Sequence, residues 1–449
     1  MKILILVNNY LQKDVVSSKR WRCLSKEMAR QGNDVTVVCG TDPTYNGELL
    51  SIHDFKETNL KVLELDSSSI FHYATKYKKV LGKKITNSSI FKSEEIIKNS
   101  SEYIEKKITL FKYIKERIKL YIEQSLSIKS LRNNYFYNDL INIKYDVLIS
   151  SIYYQNSFFW GEYLKKRHKE SLFICDIRDR LFNVGFRSPE YDKVHRDFAK
   201  KITKKCDYIF TVSDIIKDDL LNNEKNNTLL NDKIKVFPHG YDLDEDVYKI
   251  SEELSLLSSS NALELTFTGT CKEDLDIVDY FFKVLVELKK KGISNSELHF
   301  NYAGRDSNFI SDLARRNGIM EFVNDFGFIP KKKALQLQYE SDVLLIFSDV
   351  VSGKIPEYMI SGKYLLAIHN NNRQNNPIMN LFAITNTGNC YCIYEPNNEL
   401  VNKITDLINI KKRDKQIVVK GIKEGIEKYN CSSIAKEMLL LINKIKEEE

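Results

Sequence analysis

Two doubly wound α/β domains in tandem are the fold class this chain predicts, and three observations predict it. Short β-branched strands alternate with amphipathic helical stretches, once over residues 1–245 and again over 263–428. A Ser-rich stretch without periodicity lies between the two series, so 246–262 reads as a linker. A length of 449 residues suits two large domains. With 43% apolar and 29% charged residues the balance is globular, which excludes a disordered or collagen-like chain.

The first domain opens with Lys2–Val7, a continuous apolar run that reads as a buried strand. A polar loop, Asn8–Ser18, follows. Arg20–Gln31 then has helical spacing, with Trp21, Leu24 and Met28 on one face and Gly32 as its stop. Asp34–Cys39 is the next strand, and strand, helix and strand within this length make a βαβ unit with a right-handed crossover. Further strands are expected at Lys61–Leu65, Val147–Ser151, Ser171–Asp176, Tyr208–Ser213 and Lys233–Pro238.

The alternation breaks over about 71–140, a Lys/Ile/Tyr-rich helical insert. It holds 15 basic and 7 acidic residues, a surplus of +8. The whole chain carries only +7, so its remainder is near neutral. A generally polyanion-binding protein is thereby excluded, and nucleic acid is not an expected partner. Within the insert Ile104, Ile108, Phe111, Ile114, Ile118, Tyr121 and Ile122 recur at three- to four-residue spacing among Lys106, Lys107, Lys112, Lys115, Arg117 and Lys119. Such a helix reads either as one that binds an anionic membrane surface or as one packed on the first domain with a solvated basic face.

The second domain alternates again. Glu264–Gly269, Glu297–Gly304, Val323–Phe328, Asp342–Phe347 and Tyr364–His369 read as strands. Ile277–Lys291, Ile310–Asn317, Lys331–Ser341 and Ile355–Ser361 read as helices. A final amphipathic helix, Cys431–Lys446, falls in 429–449 and is expected to cross back to the first domain.

Several common sites are absent from the sequence. No two glycines are separated by one residue, so the G-x-G-x-x-G dinucleotide fingerprint is missing, as are the P-loop and the G-x-S-x-G elbow. The seven histidines are scattered and no C-x-x-C pair occurs, so neither a bound metal nor a resident cofactor is expected. The eight dispersed cysteines read as reduced thiols. The apolar run at the start is too short for a signal segment, and no run reaches about 18 apolar residues. A cytoplasmic protein, peripheral at the inner face of the membrane through its insert, is the expectation.

The strongest constellation runs from Asp342 to Lys363. A buried strand ends at Phe347, and Asp349, Ser352, Gly353 and Lys354 follow in a polar loop. Pro356 suits the first turn of a helix and Glu357 lies in that turn. Amides and a lysine at a strand's carboxyl end suit an anion, and a neighbouring carboxylate suits a ribose diol. The same pattern also suits a Glu on a helix dipole beside a solvated Lys.

This segment resembles the donor site of retaining GT-B glycosyltransferases, the family that includes bacterial polysaccharide and lipid-glycan enzymes. Asp349 and Glu357 have the spacing of that family's paired acids, and Ser361-Gly362-Lys363 its following turn; Asp replaces the usual first Glu, and Tyr364 the usual Pro. Val236-Phe-Pro-His-Gly-Tyr-Asp242, Phe267-Thr-Gly269-Thr270, Tyr302-Ala-Gly304 and Phe326-Gly-Phe-Ile-Pro330 resemble other family segments in order, so the likeness spans nearly the whole chain outside the insert. It implies two Rossmann-like domains facing a cleft. It places the diphosphate of a nucleotide-sugar donor at Gly269, Thr270, Lys272, Ser352, Gly353 and Lys354, the ribose on Glu357, and donor sugar hydroxyls on Asp349.

The first domain is then expected to hold a glycan or lipid-linked acceptor. Asp176, Arg178 and Asp179 end a strand, as a D-x-R-D segment does in a subset of these enzymes; a structural ion pair is the other reading of those charges. Lys19 and Arg20 stand near a first loop that lacks the family's glycines. The implied reaction is metal-independent sugar transfer with retention, in cell-surface polysaccharide assembly. The family's usual general base is the leaving phosphate oxygen; Asp179 and Asp349 are this chain's candidate catalytic carboxylates. Two alternatives stand beside it: a GT-B sugar-nucleotide epimerase, and a non-catalytic membrane-associated glycan-assembly partner.

Overall fold

The computed structural model describes residues 1–13, 16–40, 45, 47–65, 101–152, 155–183, 188–225, 227–244, 255–257, 261–271, 275–348, 350–370 and 376–448. Lys272, Asp349, the first part of the insert and most of the 246–262 stretch lie outside the described residues. The chain divides into two units, Met1–Pro238 with Ile434–Glu449, and His239–Ser433.

The first unit is built on seven strands: β1 (Lys2–Asn8), β2 (Asp34–Gly40), β3 (Leu60–Leu65), β4 (Val147–Ile152), β5 (Leu172–Ile177), β6 (Tyr208–Thr211) and β7 (Ile234–Val236). They pair in parallel in the order β3-β2-β1-β4-β5-β6-β7. Every residue of β4 and β5 is buried, as a parallel sheet covered on both faces requires. On one face lie Trp21 and Met28 of the helix Val16–Arg30, with Ile434, Met438, Ile442 and Ile445 of the C-terminal helix Cys431–Glu448. Those four recur on one helical stripe, and burying each contributes about 1.5–3 kcal/mol. Phe158, Phe159, Trp160 and Phe198 cover the other face.

The insert's described part is a 32-residue helix, Ser101–Arg132, followed by a short helix, Tyr137–Asn142. The long helix packs on the helices Asn156–Lys165 and Pro189–Lys205. Ser127 ties it down: its Oγ donates to Asn156 Oδ1 at 2.8 Å, and its carbonyl accepts from Trp160 Nε1 at 3.0 Å.

The second unit carries β8 (Leu263–Thr268), β9 (Leu298–Ala303), β10 (Val323–Asp325), β11 (Val343–Phe347), β12 (Tyr364–His369) and β13 (Gly388–Cys392), all parallel, in the order β10-β9-β8-β11-β12-β13. Its helix Leu275–Lys290 buries Ile277, Val278, Phe281, Phe282, Leu285 and Leu288. The strand expected over Val323–Phe328 stops at Asp325. Gly327 turns the chain there with φ +65° and donates its N–H to Asp325 Oδ1 at 2.9 Å, which leaves Phe328 71% exposed. β13 and the helices Pro377–Thr385 and Asn398–Asp414 are additions to the sequence reading. Among the described residues no helix is long and apolar enough to cross a membrane.

Candidate functional site

In each sheet the strand order reverses between two central neighbours, β1 and β4 in the first and β8 and β11 in the second. The loops leaving such a pair run in opposite directions and open a crevice at the carboxyl ends, where open α/β sheets bind ligands.

In the second unit, the chain leaving β8 reaches Gly269 at φ +146°, a conformation side-chain-bearing residues rarely adopt. A Cβ at Gly269 would lie 2.6 Å from Lys354 Nζ. Gly304, after β9, is equally constrained: its Cβ would lie 2.0 Å from the Gly269 carbonyl oxygen and 2.2 Å from the Tyr302 hydroxyl. Three loops are laced together here. Gly269 N–H donates to Ala303 O, and Gly304 N–H to Gly327 O, each at 2.9 Å. Tyr302 Oη donates to Gly269 O at 3.0 Å and accepts from Asp306 N–H, while Asp306 Oδ2 accepts from Cys271 N–H at 2.7 Å.

Lys354 crosses the switch point. It opens the seven-residue helix Lys354–Ile360 after β11, and its Nζ donates to Thr268 O, the last residue of β8, at 2.9 Å. Burial lowers its pKa, with the Glu357 carboxylate pulling the other way. Beneath it, Thr268 Oγ1 meets the buried Tyr358 hydroxyl at 2.8 Å and accepts from Gln338 Nε2 at 2.7 Å. Burial pushes the Tyr358 hydroxyl up to about 12, so it stays protonated. Ser352, Gly353 and Glu357 are half-buried beside Lys354, and Thr270 is exposed.

Six described donor-side residues therefore sit on the two switch-point loops or in the first turn after them: Gly269, Thr270, Ser352, Gly353, Lys354 and Glu357. Thr268, Tyr302, Asp306, Gln338 and Tyr358 complete the frame and were not singled out from the sequence. Tyr302 stands inside the Tyr302-Ala-Gly304 segment, Thr268 inside Phe267-Thr-Gly269-Thr270 and Tyr358 inside Asp342–Lys363, which are the available signals; nothing in a linear pattern marks Asp306 or Gln338.

The first unit furnishes its switch point differently. Asp176, in β5, is fully buried. Arg20 donates to it from Nε at 3.3 Å and Nη2 at 3.0 Å, Trp21 Nε1 at 2.7 Å and Ser151 Oγ at 3.2 Å. Burial pushes the Asp176 carboxyl up, but the Arg20 guanidinium, together with Arg178 and the Trp21 indole N–H, holds the group below the usual aspartate range. Arg20 Nη1 also donates to Pro238 O at 2.6 Å. Asp176 and Arg20, expected on the acceptor side, thus face one another inside the unit. Arg178 is buried and Lys19 half-buried. Asp179 is exposed, yet enough protein surrounds its carboxyl to raise its pKa, opposed by Arg178. In the loop after β1, Asn9 takes the left-handed conformation at φ +63°, which Asn tolerates better than most residues. Among the described residues no group of three or more His, Cys, Asp or Glu could hold a metal ion.

No protein-family model matches the chain, and no curated protein sequence matches it. Solved structures do. The chain is similar to sucrose-phosphate synthase from Thermosynechococcus elongatus, at 12% identity over 100% of both chains and a TM-score of 0.57. It is similar to the lipopolysaccharide outer core galactosyltransferase WaaB, at 12% identity over 99% of each chain and a TM-score of 0.51. A UDP-GlcNAc 2-epimerase from Neisseria meningitidis bound to UDP-GlcNAc matches over 99% of this chain and 100% of its own, at 12% identity and a TM-score of 0.50. These likenesses show the fold: two Rossmann-like α/β units in one chain, the GT-B architecture.

Proposed function

We propose that the chain is a glycosyltransferase that takes a sugar from a nucleotide-diphosphate donor and transfers it, with retention and without a protein-bound metal, to a glycan or lipid-linked acceptor in cell-surface polysaccharide assembly. The observation that carries this reading is Lys354, whose ammonium spans the β8–β11 switch point onto a neutral carbonyl, among loops where Gly269 and Gly304 leave no room for a side chain. A diphosphate offers that ammonium a charged acceptor, which makes a hydrogen bond roughly twice as strong as a neutral one. Backbone approach at Ser352 and Gly353 supplies amides, and Glu357 supplies a carboxylate for the ribose diol.

In transfer, negative charge grows on the leaving diphosphate as the glycosidic bond to the anomeric carbon breaks. Lys354, already in place, stabilises that charge more strongly in the transition state than in the ground state. The acceptor hydroxyl enters on the same face and its proton passes to the leaving phosphate oxygen. Asp349 contacts the donor sugar, and Asp179 is the first unit's carboxylate on the acceptor side, where it accepts a hydrogen bond from the acceptor and orients it.

A thermal-shift panel of nucleoside diphosphates tests the reading. One base should stabilise the protein, and Glu357→Ala should lose that stabilisation while inorganic pyrophosphate still shifts the melting point. If no nucleotide shifts it, the transferase reading fails. Product analysis with the preferred nucleotide sugar separates transfer to an acceptor or water from inversion of the donor sugar, which would make the chain an epimerase.

A further inference from the structure

The helix Ser101–Arg132 is tethered along one side and bare along another. On the tethered side Tyr113 Oη donates to Asp197 Oδ2 at 2.9 Å, and Ser127 meets Asn156 and Trp160. On the bare side Leu110, Phe111, Ile114, Ile118 and Tyr121 are 56, 58, 44, 50 and 70% exposed. At about 100° per residue these five side chains fall within an arc about 100° wide and roughly 18 Å long. Lys112, Lys115 and Lys119 border the arc on one side and Arg117 borders it on the other. The acids of this stretch, Glu116 and Glu123, lie beyond the lysines, and Glu116 is paired with Lys119 at 3.6 Å.

Scattered exposed apolar residues are ordinary on a protein surface. Five in one stripe, with no acid among them and cations on both rims, are the layout of a helix that lies in a membrane interface. Beside Arg117 and Tyr121 the surface also dips into a cavity of about 200 Å³. Leu120, Phe159, Phe198, Asp197 and Lys201 are among the residues that line it.

We infer that this face docks on an anionic phospholipid surface, the stripe seated among the acyl chains and Lys112, Lys115, Lys119 and Arg117 on the phosphates. Charge decides the occupant. A second copy of the chain would bring its own cationic rims against these, whereas an anionic bilayer complements both rims at once. The inference is independent of the donor-site reading, which concerns the other unit.

The full-length protein should co-sediment with vesicles containing phosphatidylglycerol, and much less with vesicles of phosphatidylcholine alone, with binding weakened by salt. The triple variant Lys112→Gln, Lys115→Gln, Lys119→Gln should lower the partition coefficient on the order of a hundredfold. The double variant Phe111→Ser, Ile118→Ser should lower it on the order of tenfold while leaving the salt dependence. All of these side chains are exposed, so both variants should melt with the parent, which separates lost docking from lost folding. Absence of binding to the anionic vesicles, or equal binding by both variants, would overturn the inference. So would a parent dimer that the double variant converts to monomer, which assigns the stripe to a second copy. A Phe111→Trp reporter shielded from quencher before vesicles are added would assign it to the chain itself, with the same consequence.

Discussion

At the first unit's switch point Asp176 holds its charge with no exposure, against Arg20, whose side chain is 1% exposed. At the second unit's switch point Lys354 is half-buried, and its ammonium rests on a carbonyl with the Glu357 carboxylate nearby. The topology is the same and the electrostatics are opposite. In the first unit a charge is cancelled by a partner of fixed geometry, so it braces the carboxyl ends of β4 and β5 and the start of the helix after β1. In the second a cation is held by a weaker, exchangeable acceptor, so it is poised for an anion. A charged residue at a strand end is therefore no guide to function until its partner is known.

The largest effect that would break this contrast lies in the first unit. Asp176→Ala leaves the Arg20 charge buried without its partner and should destabilise the protein by about 3–5 kcal/mol in a urea titration. A loss under about 1 kcal/mol would mean that the pair is not a brace. The same pair sets a pH dependence. The folded carboxyl titrates below the unfolded one, so its stabilisation is complete above about pH 4 and is lost as pH falls through the folded value. Asp176→Asn should flatten that part of an acid-unfolding curve.

Next comes the close approach of the second unit's loops. Gly304→Ala places a Cβ against the Gly269 carbonyl and should destabilise by about 1–3 kcal/mol, with nucleoside diphosphate binding weakened as the loops part. An unchanged melting temperature would show that the loops are not held at this separation. Lys354→Ala should leave the fold intact and cost nucleoside diphosphate binding about 1.5–3 kcal/mol, read by titration calorimetry. If stability falls instead and binding survives, Lys354 is a brace like Arg20. The smallest expected effect is Tyr358→Phe. It removes one hydrogen bond to Thr268 and should lower stability by about 1 kcal/mol in the same urea titration, leaving binding close to the parent.

Legibility in the sequence followed the physics of each element. β1 and β11 are readable because a parallel strand covered on both faces is apolar along its length, whereas β8, Leu-Glu-Leu-Thr-Phe-Thr, is readable by alternation. β13, with the sequence Gly-Asn-Cys-Tyr-Cys at the edge of its sheet, carries no such signature. The sequence predicts β10 as far as Phe328 because Phe326 and Phe328 look like strand residues, whereas Gly327 turns the chain. In the candidate site, Lys354 and Glu357 are legible through their position after a buried strand, on either side of Pro356. Tyr358, Gln338 and Asp306 were not, since their roles depend on β8, β9 and β11 lying side by side.

By itself the sequence determined the two α/β series, the local concentration of positive charge in 71–140, and the order of glycines, lysine and carboxylates after the central strands. Periodicity and net charge are sums over neighbours in the chain, so one dimension suffices for them. Only the tertiary structure decided that Arg20 and Asp176 neutralise one another, that Lys354 reaches the end of β8, and that Leu110, Phe111, Ile114, Ile118 and Tyr121 face away from the helices Asn156–Lys165 and Pro189–Lys205 on which the rest of their helix packs. Partner choice for a charge, and burial for an apolar side chain, depend on residues that are remote in sequence and meet only when the strands pair.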